Sequence, residues 1–232
     1  VLCTGRPLRS MQHLLEEADL LDDEDIAITY NGGLIQRTKS GEVINEITFN
    51  RAQCLDIFEM AQQLNMPVNF IDLDYIYEPP YPVGVESHYT STNRYVPKQN
   101  ALQLKEIDID HLPDPFTINK IVISRPSDEL DAIIPKIPAH YHDKYNIYKS
   151  QPFILEVLPK HVDKGFAMRI LGEILGLEKE QIMGIGDQEN DLSLVENAGL
   201  GVAMDNAINR VKEAADFITQ SNDEHGVARA LD

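Results

Sequence analysis

Two rhythms of apolar positions run along this chain. At its ends, short continuous apolar runs alternate with segments in which apolar residues recur three and four positions apart. The runs at 1–3, 26–30, 181–185, 200–204 and 217–219 have the length and composition of buried strands. The segments between them carry helical spacing. Residues 7–18 place Met11, Leu14, Leu15 and Ala18 on one face, with Pro7 suited to a first helical position. Residues 165–175 do the same with Ala167, Ile170, Leu171, Ile174 and Leu175, and Gly176 stops that helix. Further short helices are predicted at 191–197, 207–215 and 226–231. Strand–helix alternation with short loops predicts a parallel α/β sheet.

The middle of the chain reads differently. Residues 34–36 and 43–49 form a hairpin pattern around Thr38-Lys39-Ser40-Gly41. Asn50 is placed to cap a helix carrying Leu55, Phe58, Ala61 and Leu64. Strands are predicted at 68–77, 118–124, 145–148 and 153–158, with a short helix at 128–134 and a proline-rich loop at 78–84. The expected fold class is therefore α/β, a Rossmann-like parallel core built from both ends of the chain, 1–46 and 158–232. An inserted α+β cap is expected at 47–157.

Charge narrows the partners. The 232 residues hold 20 Lys and Arg against 38 Asp and Glu, a formal charge of −18. Such a surface repels nucleic acid and anionic lipid, so neither is an expected partner. It also repels a phosphate ester, unless a metal or a local cationic pocket reverses the field. Cys3 and Cys54 are too few for a disulfide framework and lack metal spacing, which favours a reduced cytoplasmic protein. No apolar stretch approaches the ~20 residues of a membrane helix.

Three segments fall where ligands bind in open parallel sheets, beyond the carboxyl ends of strands. Gly186-Asp187-Gln188-Glu189-Asn190-Asp191 follows a buried strand. Asp187 there is a hard oxygen ligand for magnesium, with Asp191 as its reinforcement and Asn190 as a helix cap or phosphate donor. The same letters also describe a plain acidic turn. Thr4-Gly5-Arg6 combines a hydroxyl, a glycine and a helix start, which is either an anion cradle or an ordinary βα turn. Lys164 stands just ahead of a helix, against the dipole. It either meets a bound anion or pairs with Asp163 at the surface. His140 and His142 share a face if extended but lack zinc spacing, and are read as surface residues. No Gly-x-Ser-x-Gly elbow, Gly-x-Gly-x-x-Gly or Walker lysine loop occurs.

Taken together and in this order, the three segments resemble the haloacid dehalogenase-like (HAD) hydrolase superfamily. Thr4 matches its second motif, Lys164 after Glu156-Val157-Leu158-Pro159 its third, and Gly186 to Asp191 its fourth. Ala198-Gly199-Leu200-Gly201-Val202-Ala203-Met204-Asp205-Asn206-Ala207 is similar to the Cof-type subgroup, whose members carry a type IIB cap. The resemblance implies a magnesium-dependent phosphatase acting on small phosphorylated metabolites such as sugar phosphates through a phosphoaspartyl intermediate. It implies catalytic roles for Thr4, Lys164, Asp187 and Asn190, substrate contacts from Gly5, Arg6, Asn31 and Gly32, and Mg2+ on Asp187 and Asp191. Specificity would come from cap loops around 81–94.

One departure is decisive. The family's first motif, Asp-x-Asp at the end of the first strand, is absent. Asp72-Leu73-Asp74 and Asp108-Ile109-Asp110 share its spacing but lie in the expected insert. A first core strand and helix, roughly 30–40 residues by the size of a βα unit, are expected to be missing, so that the 232 residues alone are inactive. The alternative is a non-catalytic HAD-like domain that binds a phosphorylated ligand or a protein. A phosphosugar mutase is a third reading.

Overall fold

The computed structural model describes residues 1–90 and 102–232. Part of the expected specificity segment, residues 91–94, lies outside the described residues. The described strands form three sheets.

The first has the order β1-β2-β3-β4, with β1 at Leu2–Cys3, β2 at Ile26–Thr29, β3 at Leu34–Arg37 and β4 at Val43–Glu46. β1 and β2 run parallel, and the β2-β3-β4 meander is antiparallel. The segment between β1 and β2 is less regular than its spacing predicts. A 3-10 turn at Leu8–Met11 precedes helix α1, Gln12–Glu17, and only Met11 and Leu15 of the expected face are buried. Leu14 and Ala18 are exposed.

Helix α2, Arg51–Gln63, starts at Asn50 as its spacing predicts. The Asn50 side chain accepts from the Gln53 amide at 3.0 Å and the Gln53 side chain reciprocates. Its buried residues are Cys54, Ile57, Met60 and Ala61; of the expected stripe Ala61 is buried, Phe58 and Leu64 pack partly against the core, and Leu55 faces solvent. The region predicted as one strand at 68–77 is two, β5 at Val68–Ile71 and β6 at Tyr75–Glu78, paired antiparallel. The break is chemical. The Asp72 carboxylate accepts from the backbone amides of Asp74 and Tyr75 at 2.8 and 2.6 Å, which turns the chain.

These two strands join β7 (Gln103–Glu106), β8 (Lys120–Ser124), β9 (Tyr145–Gln151) and β10 (Ile154–Pro159) in a sheet of order β7-β6-β5-β8-β10-β9. Helices α2, α3 (Ser127–Ile133) and α4 (Ala139–Lys144) contribute to its core, where Ile57, Leu130 and Tyr141 join Phe49, Phe70, Ile121, Leu155 and Val157. His140 and His142 lie on α4, not on a strand, and both are exposed.

The last sheet is wholly parallel, β11-β12-β13, at Met183–Gly186, Leu200–Ala203 and Phe217–Ile218. It alternates with α5 (Lys164–Leu175), α6 (Leu192–Asn197), α7 (Asn209–Ala214) and α8 (Gly226–Leu231). Gly176 ends α5 in the left-handed conformation at φ 67°. The end sheets share one apolar cluster, in which Ile26, Ile28 and Ile35 meet Ala167, Met168 and Leu171 of α5 and Leu194 and Ala198 beyond it. Cys3 and Ile182 pack on the same cluster. Among the described residues, β1 pairs only with β2 and β11 only with β12, so each leaves one edge open. No helix among the described residues is long and apolar enough to cross a membrane.

Candidate active site

Parallel strands deliver their carboxyl ends to one side of a sheet, and the candidate chemistry collects there. The β1–β2 ladder continues past the strands. The Thr4 amide donates to the Ile28 carbonyl at 2.8 Å, and the Asn31 amide donates to the Thr4 carbonyl at 3.0 Å. Thr4 and Asn31 therefore emerge side by side. The Thr4 hydroxyl accepts from the Arg6 amide at 3.2 Å, shaping the turn, and the Arg6 side chain is exposed. A Cβ on Gly5 would lie 2.7 Å from the Asn31 side-chain nitrogen, so this turn depends on a residue without one.

The second approach comes from α5. Asp163 caps that helix, its carboxylate accepting from the Phe166 amide at 2.7 Å. The surface Asp163–Lys164 pair considered from sequence is not the one the structure makes. Lys164 is instead buried, and its ammonium donates to the Asp191 carboxylate, which is buried too. Gly32, at φ 102°, lets the α5 start lie against the β2 end; a Cβ there would stand 2.2 Å from the Asp163 carbonyl oxygen.

The third approach is the loop after β11. Asp191 closes it. Its Oδ2 accepts from the amides of Asp187 and Gln188 at 2.9 and 3.0 Å, and its Oδ1 faces Lys164. Burial pushes the Asp191 carboxyl up, but the Lys164 charge and these hydrogen bonds outweigh it and hold the group below its ordinary value. The stabilisation is fully present above the ordinary carboxylate pKa of about 4 and is lost as pH falls from there through the depressed value. Urea unfolding should accordingly show the stability gap between wild type and Asp191→Asn narrowing below pH ~4. A gap independent of pH would contradict this electrostatic account.

Asn190 does not cap the helix that follows. Gln188 makes the capping box with Asp191, and the Asn190 side chain donates to Asn31 Oδ1 at 3.0 Å. Asp187 is half-buried, with its Oδ2 accepting from Asn206 at 3.2 Å. Both Asp191 oxygens are engaged by the protein, which leaves Asp187 as the loop carboxylate available to a cation. Asp187 offers the hard oxygen magnesium takes, but magnesium needs more ligands than one side chain supplies. Among the described residues no three His, Cys, Asp or Glu side chains converge into a metal cluster.

Thr4, Gly5, Arg6, Lys164, Asp187, Asn190 and Asp191 line one cleft of about 830 Å³. Asn31 stands behind it, bonded to Asn190, and Gly32 lies beneath the α5 start. The opposite wall is a face of the six-stranded sheet, including Lys120 and Glu156. Sequence reasoning gave these two no functional role. Their signal was a charged residue at an alternate position of an apolar strand, since Lys120 and Val122 share one face of β8 while Ile121 and Ile123 enter the core on the other. Lys120, Lys164 and Arg6 line the cleft together with Glu156, Asp191 and Asp187, so its side-chain charges balance, and in a protein of charge −18 a bound cation is what would tip the local field toward an anion.

An α/β arrangement of this kind, with a hydroxyl, a lysine and a carboxylate loop at strand and helix ends, belongs to a class of hydrolases. Residues 1–231 match the family model for haloacid dehalogenase-like hydrolases, and the chain belongs to that family. It is 38% identical over 231 residues to YxeH of Bacillus subtilis (strain 168), named as a candidate phosphatase, covering 100% of this chain and 83% of that protein. A similarly named protein of Streptococcus pyogenes, M6_Spy0533, is 36% identical over 235 residues with the same coverage. Among solved structures, TM0651 of Thermotoga maritima superposes with a TM-score of 0.77 at 30% identity, over 99% of this chain and 82% of that one. The subclass IIB sugar phosphatase BT4131 gives 0.76 at 22% identity over 99% and 82%, a likeness of fold.

Proposed function

We propose that this protein is a magnesium-dependent phosphatase that hydrolyses phosphoric monoesters of small metabolites, sugar phosphates among them. The observation that carries the reading is the convergence of Thr4, Lys164, Asp187 and Asn190 on one cleft from three separate elements. The relatives named for phosphatase activity support the reaction class. The Thr4 hydroxyl and the Asn190 amide hold phosphoryl oxygens, with the Gly5 and Arg6 backbone shaping the cradle. Lys164, fixed by Asp191, neutralises negative charge as it develops. Asp187 holds magnesium, with Asp191 fixing its loop from behind. Bound there, magnesium would polarise the phosphoryl group and orient the leaving ester. A cleft of this size, walled by Ser150, Glu156 and Tyr89, suits a polyhydroxylated leaving group.

Residues 1–46 and 158–232 are read as the core and 47–157 as the cap. The separate sheet and the apolar cluster confined to the middle region support this division, with β10 running two residues into the core segment and a smaller cluster joining Tyr30 and Leu34 to Ile71, Ile76 and Val122 across the boundary. The nucleophile is the remaining element. No Asp-x-Asp-Gly-Thr occurs in the 232 residues. The open edges of β1 and β11, strands that lead directly into Thr4 and Asp187, would accept a parallel strand that brings Asp-x-Asp to the cleft.

The metal arm is tested on the chain joined to a strand ending in Asp-x-Asp, which completes the ligand set. Calorimetry should give magnesium binding that Asp187→Ala weakens tenfold or more, about 1.4 kcal/mol. Unchanged magnesium affinity in Asp187→Ala removes that residue from the metal site.

A further inference from the structure

Glu156 is buried on the cleft wall, on the face of β10 opposite Leu155 and Val157, which enter the core. A buried carboxylate is costly unless its oxygens are satisfied, and here they are. Its Oε2 accepts from the Asn31 side chain at 2.6 Å and from the Tyr148 hydroxyl at 3.5 Å, and its Oε1 accepts from the Ser150 hydroxyl at 2.8 Å. Lys120, equally buried, stands 3.5 Å from it and donates to the Gly5 carbonyl at 2.9 Å. These contacts tie β8, β9 and β10 to the Thr4-Gly5-Arg6 turn and to the end of β2.

The chain of bonds has a direction. An ionised carboxylate only accepts, so the Asn31 amide must present its NH2 to Glu156. Its oxygen then faces Asn190, and Asn190 must donate to it at 3.0 Å. An asparagine amide is close to symmetric in shape, and without Glu156 nothing in this chain of bonds selects which end of Asn31 faces Asn190. Lys120 balances the Glu156 charge and holds the Gly5 carbonyl on the other side of the cleft.

We propose that Glu156 and Lys120 are positioning residues: a buried ion pair on the cleft wall that imposes one hydrogen-bond direction through Asn31 onto Asn190 and fixes the Gly5 turn. The functional meaning of this role rests on the phosphate-binding reading of the cleft. The hydrogen-bond relay itself does not, and it is tested in the ligand-free protein. The readout is solvent exchange of the side-chain NH2 groups of Asn31 and Asn190 by 1H–15N NMR. In wild type both should be protected. Glu156→Ala should speed exchange at Asn190, two bonds of the relay away, by about tenfold, the equivalent of one lost hydrogen bond. Glu156→Gln keeps an acceptor oxygen toward Asn31 and should stay within about twofold of wild type, since the relay needs an acceptor more than a charge. The proposal is overturned if Asn190 keeps its protection in folded Glu156→Ala, or loses it equally in Glu156→Gln. Should Glu156→Ala not fold, Glu156→Leu combined with Lys120→Met decides by the same readout, since it removes the acceptor for Asn31 without leaving a buried charge unpaired. Faster exchange at Asn190 supports the proposal, and unchanged exchange overturns it.

Discussion

Replacing Lys164 with alanine should destabilise the protein by about 3–5 kcal/mol, the cost of leaving a buried charge without its partner. Lys164 and Asp191 are both buried and bonded to each other. Asp191 cannot turn away to solvent, because its other oxygen holds the amides of Asp187 and Gln188. Two outcomes are open to the orphaned carboxylate, and both cost. Kept charged, it loses the strongest term that offsets its burial. Protonated, it weakens its grip on the two amides and loosens the Asp187 loop. Against a total stability of about 5–15 kcal/mol, the loss removes a large part of the folded state's margin. Urea unfolding at neutral pH measures it. A loss under about 1 kcal/mol, the scale of a surface pair, would show that the pair is not a buried one in solution. Asp191→Asn keeps the shape and acceptor oxygen but removes the charge; combined with Lys164→Met it should recover part of the loss, since no unpaired charge remains.

Gly32→Ala should cost about 3 kcal/mol or more, and for a different reason. At φ 102° an alanine is strained, which alone costs on the order of 1–3 kcal/mol. Its Cβ would also stand 2.2 Å from the Asp163 carbonyl oxygen, a backbone atom at the start of α5. The helix start must then move, carrying Lys164 with it. Gly41→Ala separates the two effects. Gly41 has φ 74° and nothing within 4 Å of an added Cβ, so it reports conformational strain alone, about 1 kcal/mol. Equal losses in the two variants would mean that the close approach of β2 and α5 contributes nothing.

The sequence reading reached the end sheets more easily than the middle. Strands 26–30 and 200–204 are short, buried except at Leu200 and bounded by turns, so their apolar runs leave little choice. The Asn50 cap was legible because capping is local: an Asn followed three residues later by Gln makes the reciprocal pair in any context. The buried face of α2 was only partly legible, since Leu55 is as apolar as Ile57 and only the neighbouring sheet decides which is covered. The turn at Asp72 was hidden inside an apolar run because its cause is one side chain bonding two amides.

The site shows the same division. The places of Thr4, Lys164 and Asp187 were legible because each sits at a strand or helix end, a position the local pattern predicts. Their partners were not. That Lys164 meets Asp191 rather than Asp163 depends on Asp163 being taken up as a cap, and on α5 and the β11 loop approaching each other. Lys120 and Glu156 are further still from local reasoning. They meet across adjoining strands β8 and β10, and then reach Gly5 and Asn31, more than a hundred residues away in sequence.

The central claim is that this cleft hydrolyses phosphate monoesters once carboxylates of the Asp-x-Asp kind stand beside Thr4 and Asp187. The most direct measurement is hydrolysis of an aryl phosphate by the chain alone and by the chain joined to a strand ending in Asp-x-Asp. Both are assayed with and without magnesium. The expected result is magnesium-dependent turnover from the joined protein and none from the 232 residues alone, with turnover abolished by Asp187→Ala. A joined, folded protein that stays inert, or turnover indifferent to magnesium and to Asp187, would contradict the account.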